Sequence, residues 1–71
     1  MKTRAMVKVG GVLERYVKAM ISNHTTICIR IEQEHDLFGY PPEIVSVGLK
    51  AVDEGLDPHE AIAAYMGEAH G

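Results

Sequence analysis

Turn-forming residues cut the chain into four short segments, each with its own alternation of apolar and polar positions. The breaks fall at Gly10-Gly11, Asn23-His24, Gly39-Tyr40-Pro41-Pro42 and Gly55-Leu56-Asp57-Pro58. In the first segment, Val12, Leu13, Tyr16, Val17, Met20 and Ile21 fall on one side of a helix turning by about 100° per residue. Glu14, Arg15, Lys18 and Ser22 fall on the other. Met6 and Val9 extend the apolar side backwards, with Arg4 and Lys8 on or beside the polar one. Two starts are compatible with this pattern. The helix begins near Thr3 and carries Gly10-Gly11 inside it, at about 1 kcal/mol per glycine, or it begins at Gly11 after an extended arm.

The second segment has two periodicities. Ile27, Ile29 and Ile31 alternate with Cys28, Arg30 and Glu32, as in a strand. As a helix, Ile27, Cys28, Ile31, His35 and Phe38 form a stripe that leaves out Ile29 and Leu37. A lone strand would leave its backbone groups unpaired. The expectation is therefore a helix from about Thr26 to Leu37, with one strand near residues 26–32, paired to its copy in a dimer, as the alternative.

The third and fourth segments carry clearer boundary signals. Pro41-Pro42 suits a helix start, and Glu43 complements the positive end of the helix dipole. Ile44, Val45, Val47, Gly48, Leu49, Ala51 and Val52 fill one wide side before Gly55 supplies a C-terminal stop. Asp57, Pro58 and Glu60 then occupy the N-cap, first and third positions of a last helix. Its apolar side holds Ala61, Ile62, Tyr65, Met66 and Ala69, and Gly67 and Gly71 predict a frayed end.

The fold class predicted is mainly α: a single domain over residues 1–71, a small bundle of three to four short helices. Each apolar arc is wider than the roughly 100° a surface helix needs. A 71-residue chain buries only about 60% of the surface its unfolded state exposes, less than a larger domain does. With one cysteine there is no internal disulfide, and no CxxC pair holds a structural zinc. Completion of the core by a homodimer is expected, Leu13, Val17 and Met20 of one chain meeting Val45, Leu49 and Val52 of the other.

Charge is unevenly placed. Residues 1–24 hold Lys2, Arg4, Lys8, Arg15 and Lys18 against Glu14, a net of +4. The remaining residues hold Arg30 and Lys50 against nine acids, a net of −7, giving −3 in all. The basic first helix either packs beside the acidic remainder, the reading preferred, or meets phosphate. No stretch reaches the ~20 apolar residues of a membrane span. Lys8 and Glu14 break any signal-peptide core, so a cytoplasmic location is expected.

Little in the sequence carries chemistry. Glu32 and His35 make a Glu-x-x-His step, the spacing of di-iron helices. One chain supplies one step, so a metal would need a dimer axis and recruitment of Glu14 or Glu60. No metal or other cofactor is expected. Cys28 and His35 lie seven apart without an oxyanion-type glycine turn. No Walker-type or Gly-x-Gly-x-x-Gly loop occurs, and a chain this small has scant room for the ~300 Å³ or more of a ligand site. No catalytic residue is assigned, and the chain is read as not an enzyme.

Ala51, four residues before Gly55, and the run from Gly55 to Gly67 resemble the opening of bacterial helix-turn-helix units, over about one quarter of the chain. The resemblance implies DNA binding, but the last helix would offer His59, Glu60, Ala63, Ala64 and Tyr65 to the groove. Base reading uses Arg, Lys, Asn and Gln, and an acid there repels phosphate. The function expected is a cytosolic protein–protein interaction module, an accessory or inhibitory factor of the kind phages and plasmids encode. Its partner-binding candidates are the basic face of the first helix (Arg4, Lys8, Arg15, Lys18) and the Phe38-Gly39-Tyr40 turn. For Phe38 a place in the core under that turn is favoured. The alternative function is a nucleic-acid-associated regulator contacting phosphates through the basic helix.

Overall fold

Every segment folds as a helix in the computed structural model, which describes residues 9–70, with side chains through Gly67. The order is α1 (Val12–Ile21), α2 (Thr25–Glu34), α3 (Pro42–Asp53) and α4 (Pro58–His70). No strand occurs among the described residues, so the helical reading of residues 26–32 holds. A helix pairs its own N–H and C=O groups, which a single strand could not do. The isoleucine alternation has a different outcome: Ile31 is buried, whereas Ile27 and Ile29 are partly exposed.

α1 begins at the second of the two starts. Gly11 is its extended N-cap, and Gly10 turns the chain with φ +79°. Gly11 has no side chain to cap the helix, so α3 supplies one. Asp53 Oδ1 accepts the Val12 N–H at 2.9 Å and Asp53 Oδ2 the Leu13 N–H at 3.1 Å. A carboxylate is unfavourable at the C-terminal end of its own helix, but here it faces the positive end of another. A Cβ on Gly11 would lie 2.5 Å from Asp53 Oδ2, so the contact requires glycine. The predicted residues Arg4 and Lys8, and the possible start at Thr3, lie outside the described residues.

α1, α2 and α3 end in the same way. Asn23, Asp36 and Gly55 adopt left-handed φ values of 61°, 59° and 78°. The following N–H reaches back five residues in each case: His24 to Ala19 O at 2.8 Å, Leu37 to Glu32 O at 2.7 Å, and Leu56 to Ala51 O at 2.8 Å. These are Schellman stops. The stop at Asp36 ends α2 at Glu34, short of the predicted Leu37, and turns Leu37 into the core, fully buried. The adjacent Phe38 is thrown outwards and is 61% exposed, which corrects its expected core role. α4 is capped as predicted, Asp57 Oδ1 accepting the His59 N–H at 3.1 Å.

α1 packs against α2 and α3, and α3 against α4. Leu13, Tyr16, Ile31, Leu37, Val45, Leu49 and Ile62 form the centre of the core. Gly48 lets neighbours close on α3: a Cβ there would meet Leu37 Cδ1 at 2.9 Å and Ile62 Cδ1 at 3.2 Å. Leu13, Val45 and Leu49 are buried within one chain, with Val17 and Met20 packed at the edge and Val52 half-buried. Of the residues expected to meet across two copies, Leu13, Val45 and Leu49 thus lie in one core within a single chain, while Val17, Met20 and Val52 stay partly accessible. The reason lies in the shape: the extents are 34 × 33 × 19 Å. The short axis is about two helix diameters, and α1 and α3, each with two neighbouring helices, turn a wide apolar arc toward both.

Candidate functional site

Between α1 and α2 runs an open groove of about 600 Å³. The three-residue connection Ser22–His24 returns the chain beside itself, and the hydroxyl of Tyr16 donates to Glu32 Oε2 at 2.6 Å, clasping the two helices together. Burial, then the hydrogen bond to Glu32, holds the Tyr16 phenol protonated well above its usual range. On the outer side of this clasp α1 presents Ala19 and Ser22, too small to fill the space. The longer side chains Arg15, Lys18, Arg30 and Glu34 stand around it. The groove's volume exceeds the ~300 Å³ for which so small a chain was expected to have scant room.

Its lining combines an apolar floor with a cationic rim. Ala19 and Ile31 back the floor, and Ile27, 42% exposed, offers the accessible apolar surface. The aliphatic stems of Arg15, Lys18 and Arg30 add to it. The ammonium of Lys18 pairs with Glu14 Oε2 at 3.3 Å. Glu14 also accepts the Gly10 N–H; that bond first, and Lys18 second, hold its carboxyl below the usual range. No ion pair engages Arg15 or Arg30 among the described residues. His24 closes the end at the connection, where a second depression of about 430 Å³ continues along Asn23 to Ile27.

Of the residues singled out from sequence, Arg15 and Lys18 are exposed and line this groove. Phe38 and Tyr40 do not line it; they belong to the α2–α3 connection, where Tyr40 is half-buried with its ring 6.5 Å from that of His59. His59 in turn lies 3.5 Å from Asp36. Arg30, Ile27 and Glu34 went unrecognised as site residues. Their signal was present, since the three share one face of α2 once that segment is wound as a helix.

The other chemical candidates have structural partners. Glu32 accepts the Tyr16 hydroxyl, and no group of three metal-ligating side chains occurs among the described residues. Cys28 is buried, and burial followed by the nearby Glu32 charge pushes its thiol up, away from the reactive thiolate. No described helix is long and apolar enough to cross a membrane. In the helix-turn-helix-like region, Glu60, Ala63 and Ala64 are exposed on α4, so an acid stands on the surface that would face phosphate. Comparison of the chain with protein-family models, curated proteins and solved structures gave no match to any of them.

Proposed function

We propose that this chain is a non-catalytic interaction module that acts by binding another protein through the α1–α2 groove. The observation that carries this reading is the pairing of an accessible apolar floor at Ile27 with three cations around it, Arg15, Lys18 and Arg30. Apolar surface at the centre with polar groups at the rim is the anatomy of a protein-binding patch. The reading fits a cytoplasmic accessory or inhibitory factor.

A photo-crosslinking residue at Ser22, introduced in the native host, tests the reading. A discrete protein adduct is expected, absent when the crosslinker sits at Glu60 and lost on Ile27→Glu. Equal labelling from both positions would overturn it.

Binding of nucleic acid is the second reading, favoured by the exposed Arg15 and Lys18 on one face of α1. Retention on heparin at low salt that collapses at about 200 mM salt would support it. No retention at either salt would end it.

A further inference from the structure

We infer that the α1–α2 groove takes an acidic amphipathic α-helix of the partner, laid along the groove as a third helix. The inference rests on the reading above and adds the conformation and charge of the occupant. Conformation follows from hydrogen bonding. Both walls are helices whose interior backbone groups are already paired along their own axes. An extended segment would find no N–H or C=O row to pair with, as it does at a sheet edge, whereas a helix satisfies its own backbone and needs only side-chain contact.

Length follows from the walls. α1 and α2 have 10 residues each, a run of about 15 Å, which matches roughly three turns of an occupying helix. The depression beyond the connection, sharing His24 and Ile27 with the groove, leaves the occupant's end unobstructed. Charge follows from the rim. Of the cations, Lys18 is paired with Glu14, and Arg15 and Arg30, without an ion pair among the described residues, share the lining with one acid, Glu34. Arg15 comes from the α1 wall and Arg30 from the α2 wall, so each wall contributes one guanidinium. Carboxylates flanking one apolar row would meet a guanidinium from each wall while an apolar side chain rests on Ile27. Guanidinium forks suit carboxylates in this way.

Isothermal titration of the full chain tests the inference. The probe is a 15-residue helical peptide with leucines at i, i+4 and i+7 and glutamates on both flanks. Controls are the same peptide with a central proline, with lysines for glutamates, and a short duplex DNA. The glutamate helix is expected to bind in the micromolar range. The proline control should bind about tenfold more weakly or less, and the lysine control not at all. Arg15→Glu and Arg30→Glu should each weaken binding by about tenfold, with unchanged melting.

Equal binding of the proline and helical peptides would overturn the helical occupant. Absence of binding by the glutamate helix, or tighter binding of DNA, would overturn the acidic one. A groove adduct that persists in the host while the peptide fails would refute this inference and leave the interaction reading standing; loss of both would remove the reading itself.

Discussion

Replacing Asp53 tests the junction by which α3 positions α1. The Asp53 carboxylate accepts two N–H groups of the first turn of α1, at 2.9 and 3.1 Å, in a part-buried position. Removing an N-cap acceptor costs about 0.5–2 kcal/mol. The charge at the positive helix end adds about 0.3–1 kcal/mol. Water can reach a part-buried site and recover some of this, so Asp53→Ala should cost about 2 kcal/mol. A 71-residue domain holds about 4–10 kcal/mol in all. The loss should lower the melting temperature by about 8–16 °C. Asp53→Asn keeps an acceptor and loses the charge, so it should fall between.

Gly11→Ala sharpens the test, because its Cβ would sit 2.5 Å from Asp53 Oδ2 and displace the carboxylate. In the wild type it should cost about as much as Asp53→Ala. In the Asp53→Ala background it should be nearly neutral, since the entropic gain of alanine and the capping preference for glycine are similar and opposed. Thermal unfolding of the four proteins gives the coupling. Additive effects, or an Asp53→Ala protein melting within about 2 °C of wild type, would refute the cross-helix cap.

Neighbouring residues at the α2–α3 connection should behave oppositely: Leu37→Ala, at a fully buried position, should cost about 2–5 kcal/mol, whereas Phe38→Ala should stay within about 0.5 kcal/mol by denaturant unfolding. Tyr16→Phe should cost about 1–2 kcal/mol at neutral pH by leaving Glu32 unpaired. Because the folded Tyr16 phenol is held above its unfolded value, its contribution is complete below about pH 10 and lost as pH rises further; the variant should show a flatter alkaline melting profile. Glu14 is shifted the other way, so its contribution is present above the ordinary carboxylate range and lost as pH falls through its lowered value; Glu14→Gln should reduce acid sensitivity, and an unchanged acid profile would count against the Gly10 and Lys18 contacts. With Leu13, Val45 and Leu49 buried in one chain, melting should be independent of protein concentration, and a rise with concentration would mean that a second copy covers what remains exposed.

Local chemistry made much of this fold legible in the sequence. Pro42 at a helix start, the Asp57-Pro58 cap and the glycine stop at Gly55 act on their own few residues, so they read correctly without knowledge of the rest. The wide apolar arcs of the first and third segments were equally visible, but not their destination. Whether Leu13 and Leu49 meet within a chain or between two depends on where α1 and α2 are turned. That is set by left-handed Asn23 and Asp36, residues that tolerate this conformation without announcing it as glycine does.

The second segment was legible only through an argument about pairing, and tertiary structure alone decided where it ends and what the site is. Its β-branched isoleucines lean to a strand by local preference, and the absence of a partner strand tips the balance to a helix by leaving a strand's backbone groups unpaired. Once it is helical, Arg30 and Ile27 come to one face opposite Arg15 and Lys18, and the groove runs where α1 presents the small residues Ala19 and Ser22. The pairing of Asp53 with a helix start some forty residues earlier is of the same kind. No pattern in either segment encodes it, because it depends on the packing of α1 against α3.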